Sequence, residues 1–221
     1  MCGRFSLTSG DRDIEAEFGV KVPPGYRPRY NIAPTQEVIA VAVEGGRALQ
    51  TFRWGLIPSW AKDPKIGNKL INAKAETLFE KPSFRAAAKA RRCLVLADGF
   101  YEWCQTEKGK IPMYIRLKQK KPFGLAGLWE SWQSLEGQTV RTCTIITTEP
   151  NDLMQPIHNR MPVIVPDGLI DLWLDPRLKS INELEPILKP YAASEMEAYA
   201  VSRMVNSPAN DRPECVQPHT P

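Results

Sequence analysis

Apolar residues in this chain recur more often at a spacing of two than at the three-to-four spacing of an amphipathic helix. Glu37–Val43 (EVIAVAV) and Ala48–Trp54 (ALQTFRW) read as strands, with Glu44-Gly45-Gly46 as the hairpin turn between them. Cys93–Ala97, Phe100–Cys104, Met113–Leu117, Phe123–Leu128, Val140–Thr147, Val163–Val165 and Ala198–Val201 read as further strands. Several are β-branched or aromatic and bounded by Gly or Pro. Helical signals are fewer and shorter. Asp11–Phe18 follows a Thr8/Ser9 cap, Ser83–Arg92 reads SFRAAAKARR, and Leu169–Leu174 is a third segment. Ile181–Leu188 lies behind Ser180-x-x-Glu183, a capping box. Mostly antiparallel strands with peripheral helices predict an α+β fold. One compact domain is expected, with its sheets curled into a barrel-like or sandwich core. The Pro-rich stretch Ser207–Pro221 is expected to be irregular.

Composition agrees with a globular chain and removes several classes. With 221 residues it is long enough to bury a core without staples. Its 14 glycines and 20 prolines stay below the range of disordered chains. No apolar run approaches the ~18 residues of a membrane span, and the start, MCGRFSLTSG, has no apolar signal region. The expectation is therefore a cytoplasmic protein with no membrane partner. A net charge of +4 permits an anionic partner without demanding one. Cys2, Cys93, Cys104, Cys143 and Cys215 are scattered, with no C-x-x-C, and only His158 and His219 could join them. That spacing offers no zinc site, redox dithiol or disulfide framework, so no metal and no cofactor is expected.

Cys2 needs separate treatment. Cysteine is small enough for the initiator methionine to be trimmed, leaving an α-amine and a thiol on adjacent carbons. Both titrate near enough to neutrality to react, at about 7.7–8.0 and about 8.5. The amine can condense with an aldehyde, and the thiol can then close a five-membered thiazolidine with the advantage of an intramolecular reaction. Gly3 permits close approach, Arg4 brings a planar cation suited to phosphate, and Phe5 can anchor the segment. Taken alone, a cysteine at this position is more often a small hydrophobe at a disordered terminus.

Other candidates stand beside it. Glu102 lies between Tyr101 and Trp103, and strand alternation puts it on the face of Phe100. A carboxylate against aromatic surface has a raised pKa suited to proton transfer, whereas a solvent-facing strand glutamate is the commoner case. His158 in PIHNRMPVIV is stiffened by Pro156 and Pro162 and followed by Arg160; a catalytic and a structural histidine are equally compatible. Asn72 could orient a substrate or merely cap a helix over Ala73–Leu78. Arg85, Lys89 and Arg92 share helical spacing and form a basic stripe, and Lys108–Lys121 is a second basic stretch; each is more often a solvated face than a binding site. Trp54 and Trp60 in RWGLIPSWAKD could stack on bases, although core packing suits Trp54 better.

Read together, MCGRF at the start, YNIAPTQ at 30–36, RWGLIPSWAKD at 53–63, INAKAET at 71–77, ADGFYEW at 97–103, IHNRMPVI at 157–164 and VSRMVN at 201–206 fall in a specific order. The chain strongly resembles the SRAP (SOS-response-associated peptidase) family, the abasic-site shielding proteins. The resemblance covers nearly all of it, implying one domain over residues 1–217 with an irregular tail at 218–221. It implies covalent capture of abasic sites in single-stranded DNA by Cys2 after Met1 removal, with possible AP lyase and autoproteolytic activity. It also implies a monomer, nucleoid-associated when engaged on DNA.

By the same resemblance, Asn72 contacts the amine and sugar, Glu102 moves protons, and His158 assists sugar opening and crosslink reversal. Arg4 and Arg160 fall at phosphate-contact positions, and Trp60 matches an aromatic of the DNA-facing loop. Lys74 stands where many relatives carry Arg and keeps charge without the bidentate fork. Arg85, on the basic stripe, completes the candidate DNA-binding set. Three other readings use the same residues: a glutamine amidotransferase with Cys2 as nucleophile, a thiol peptidase pairing Cys2 with His158, and a non-covalent single-strand binder built on Trp60.

Overall fold

The computed structural model describes residues 2–107 and 109–219. Its strands are β1 (Phe5–Leu7), β2 (Arg29–Ile32), β3 (Glu37–Val43), β4 (Arg47–Trp54), β5 (Asn72–Lys74), β6 (Arg92–Ala97) and β7 (Gly99–Thr106). They continue as β8 (Gly109–Leu117), β9 (Phe123–Gln133), β10 (Thr139–Thr148), β11 (Met161–Pro162), β12 (Ile164–Val165) and β13 (Met196–Ala200). The helices are α1 (Asp11–Phe18), α2 (Arg85–Ala90), α3 (Ile170–Leu174) and α4 (Ile181–Leu184), with short 3-10 turns between elements.

Two sheets result. In the larger, β10 pairs with β4, β4 with β3, β3 with β6, β6 with β9 and β9 again with β10, which closes a barrel. All these pairings are antiparallel except β10–β4. Closure leaves no exposed edge in the ring, and β5, β11 and β12 extend it locally from β10 and β9. The second sheet runs β13-β8-β7-β1-β2. The fold is thus α+β with a curled, mostly antiparallel core, as the alternation of apolar residues predicts.

The core lies inside the barrel and between the sheets, built from side chains such as Phe52, Trp54, Leu94, Phe100 and Trp173, all buried. Phe5 and Trp54 meet edge-on at 5.2 Å, joining the first strand of one sheet to the barrel. Gly99 lets β7 lie flush on the Tyr114 ring, where a Cβ would collide with it. Asp98 ties the same corner together: it accepts from Ser6 Oγ at 2.7 Å and from the Ser9 amide at 2.8 Å.

Several expectations need correction. Thr8 and Ser9 do not cap α1, whose N-cap is Gly10; their hydroxyls bond Asp98 instead. The helix read over Ser83–Arg92 shrinks to α2, and Arg92 opens β6 as a buried residue, so the basic stripe breaks up. Arg92 donates to the carbonyls of Ala88 and Trp173, both at 2.7 Å, and to that of Asp175. It thereby satisfies orphan carbonyls at the ends of α2 and α3. The capping box of Ser180 and Glu183 is present, but α4 is shorter than Ile181–Leu188. The stretch Ser207–Pro221 is not irregular throughout. Pro213–Val216 forms a 3-10 turn, Cys215 is buried, Pro218 pairs with Val201, and the His219 amide bonds Ala200 O.

Candidate functional site

The site forms where the chain start passes between the two sheets. Phe5 pairs with Phe100 and Ser6 with Gly99, and the Tyr101 amide donates to Arg4 O at 2.9 Å. This antiparallel register carries Cys2 and Gly3 alongside the Glu102 stretch of β7. Opposite, β5 runs parallel to β10 with Asn72 beside Ile145, and Asn72 Nδ2 donates to Cys2 O at 2.8 Å. Asn72 is therefore a strand residue rather than a helix cap. Its Oδ1 is buried and finds no partner among the described residues, so it remains available to a donor beside Cys2.

Glu102 faces inward with Phe100, while Tyr101 and Trp103 pack in a second cluster on the opposite face of β7. It is only 3% exposed, and burial raises its pKa to about 7. Its Oε2 lies 3.9 Å from His158 Nε2, a separation that one substrate oxygen could bridge. Burial lowers the His158 pKa. The ring is then neutral at physiological pH, and the Arg160 backbone meets Nδ1 with both its amide, at 3.1 Å, and its carbonyl oxygen, at 3.2 Å, which holds the ring with Nε2 toward Glu102. The Cys2 thiol is fully buried and its pKa is raised, chiefly by desolvation and further by the Glu102 charge. It is a protonated thiol, and Glu102 lies near enough to feel its charge. Met1, whose removal the sequence reading requires, lies outside the described residues.

The other candidates are dispersed. Arg4 is 9% exposed, donates from Nη1 to Asn31 Oδ1 at 2.8 Å and Val205 O at 2.5 Å, and lies over the Trp103 ring. Arg160 is gripped by Glu76. Trp60 is 59% exposed, whereas Trp54 is buried with Nε1 donating to Ile71 O at 2.8 Å. Gly55 and Gly67 shape the Trp60 loop: Gly55 has φ +127°, and a Cβ there would lie 2.5 Å from Gly67 O. Lys74 is exposed at the end of β5, and Arg85 is exposed on α2, which packs on β6 and β9. Lys108 of the second basic stretch lies outside the described residues, while Arg116 and Lys121 are paired with Glu197 and with Glu17 and Asp167.

Asn31 is missed by the sequence reading, although it stands in the quoted YNIAPTQ block. It is completely buried, accepts from Arg4, and donates to the carbonyls of Val205, Ser207 and Asn210. It thus ties the first strand to the C-terminal segment. Among the described residues no group of three or more His, Cys, Asp and Glu is placed to hold a metal, and no helix is long and apolar enough to cross a membrane.

The fold and site define a class: a barrel-based domain presenting a cysteine at position 2 to an amide, a buried carboxyl and an imidazole. The family model described as SOS response associated peptidase (SRAP) matches residues 1–208, and the chain belongs to that family. It is 50% identical over 224 residues to the abasic site processing protein YoqW of Bacillus subtilis (strain 168), covering 99% of this chain and 100% of the relative. Similarity to the abasic site processing protein HMCES of Gallus gallus is 35% over 263 residues, covering 99% of this chain and 78% of that protein. A crystal structure of a protein from Bacteroides thetaiotaomicron superposes with a TM-score of 0.91 at 30% identity, covering 99% and 100% of the two chains.

Proposed function

We propose that this protein processes abasic sites in DNA, and that it does so by covalent capture of the lesion in single-stranded DNA through Cys2. The observation that carries the reading is the convergence of Asn72 Nδ2 on Cys2 O at 2.8 Å with the Glu102–His158 pair at 3.9 Å. An abasic sugar is mostly a closed hemiacetal, and opening it requires a proton donor and acceptor at one oxygen. Glu102, raised to about 7, and neutral His158 supply both near neutrality.

Loss of Met1 frees the Cys2 amine, which attacks C1′ of the aldehyde; the carbinolamine loses one water to give an imine. The thiol then adds across C=N, forming the S–C1′ bond, while its proton passes through Glu102 to the imine nitrogen. The product is a thiazolidine, with one water released overall. A buried, protonated thiol suits this addition because it brings the proton that the nitrogen needs. The protein acts as a monomer within the cytoplasm, on exposed single strands.

An oligonucleotide with one abasic site should give a protein–DNA adduct that survives heating without borohydride. The same oligonucleotide with an intact base should give none. Single-stranded substrate should react at least tenfold faster than an abasic site inside duplex, and Trp60→Ala should narrow that gap by removing about 1–3 kcal/mol of stacking. Equal rates on both substrates would remove the single-strand preference from the reading. A glutaminase or a peptidase would show no aldehyde dependence at all.

A further inference from the structure

Arg160 was matched to a phosphate contact, yet its guanidinium is already engaged. Nη1 and Nη2 donate to the two carboxylate oxygens of Glu76 at 2.6 and 2.9 Å, and Nη2 donates again to Thr147 O at 2.6 Å. The Arg160 side chain is 15% exposed and that of Glu76 51% exposed. This fork joins three segments: the turn Ala75–Thr77 that follows β5, the end of β10, and the loop that carries His158. At the other end of the same residue, the Arg160 amide and carbonyl oxygen lie 3.1 and 3.2 Å from His158 Nδ1. Glu76 is only four residues from Asn72, so the fork also holds the Asn72 strand and the His158 loop in one frame.

We propose that Glu76 is a positioning residue for His158: by gripping Arg160 it keeps the Arg160 backbone on Nδ1 and so holds the imidazole in one orientation and one tautomer, with Nε2 facing Glu102. The inference rests on the catalytic reading of His158 given above. A half-exposed ion pair adds little to stability. A bidentate fork onto a backbone-anchored arginine does fix orientation. Hydrogen bonds from Arg160 hold the Glu76 carboxyl below its ordinary value, so the fork is intact across the neutral range.

The test uses Glu76→Gln, which keeps shape but loses the charge, and Glu76→Asp, which keeps the charge on a shorter arm. Because the chain has only two histidines, a His219→Gln background makes the ring nitrogens of His158 readable by nitrogen-15 NMR on selectively labelled protein. At pH 8 the parent should show a single tautomer. Glu76→Gln should show a mixture of tautomers and crosslink on the order of tenfold to a hundredfold more slowly. Its affinity and salt slope for single-stranded DNA should not change, and Glu76→Asp should recover part of the rate. An unmoved tautomer in Glu76→Gln would overturn the proposal. The tautomer readout needs no DNA. If it moves as expected while the parent fails to crosslink abasic DNA, the positioning role stands and the abasic-site reading falls.

Discussion

Cys2→Ala will give no adduct that survives heat and denaturant untreated. Alanine keeps the amine, so an imine can still form at C1′, but with no thiol the ring cannot close. Borohydride should trap that imine, and without the trap strand cleavage by β-elimination should accumulate. Cys2→Ser should fall between, because the hydroxyl is a poorer nucleophile and its oxygen ring opens more readily. The contrast separates the two halves of the aminothiol, with the loss of untrapped adduct in Cys2→Ala expected to be complete. Cys2 is fully buried in the core cluster, so each variant should first be shown to melt cooperatively.

Glu102→Gln should show two effects of opposite kind. Crosslinking should slow by roughly 10²–10⁴-fold, the range for loss of a well-placed proton-transfer group. In the parent, the rate limb governed by the acid form of Glu102 should fall as pH rises through about 7, and this limb should be absent in the variant. Stability should move the other way. Burial raises the folded-state pKa of Glu102 from 4.5 to about 7, so the folded protein binds the proton more tightly than the unfolded chain. Its contribution is fully present below the unfolded value and is lost as pH rises through the folded one. Glutamine mimics the protonated acid without titrating. At pH 8 Glu102→Gln should therefore be more stable than the parent by up to about 3 kcal/mol, an advantage that vanishes near pH 4. Urea melts at the two pH values would show it. A variant equally stable at both, relative to the parent, would mean that Glu102 carries no raised pKa in the fold.

Such a trade between stability and chemistry explains which parts of the protein were legible in the sequence. The long barrel strands are, because alternation over seven or more residues is a strong signal; Glu37–Val43 has the same bounds in sequence and structure. The strands β1, β2 and β5 are not. They hold three or four residues, include Ser6, Asn31, Asn72 and Lys74, and are strands only through their partners in the fold. The inward direction of Glu102 follows from the period-two rule once β7 is recognised. Against it stood the general habit of glutamates to face water, which fails here because the site is where that habit is broken.

Cys2, Glu102 and His158 stand out because of what their functional groups can do. For Asn72 a helix cap is the favoured reading of the residue alone, and for Glu102 a solvent-facing strand position is the commoner one; only the family resemblance tips both toward the site. Glu76 and Asn31 lay inside quoted motifs, yet their meaning depends on partners 84 and 27 positions away. No local pattern reports such pairings. Arg92 shows the converse: a residue that local helical spacing placed on a basic stripe is claimed by carbonyls 81 and 83 positions downstream, at the end of α3.

The central claim is that the bond to DNA is made by the amine and thiol of Cys2 together. Tryptic mapping of the heat-stable adduct tests it most directly, because cleavage after Arg4 isolates Cys2-Gly3-Arg4. The tripeptide should carry the sugar remnant with the mass of one water lost, begin at Cys2, and resist both thiol alkylation and amine acetylation. A remnant on a lysine such as Lys74, or on a peptide that still begins with Met1, would contradict the account.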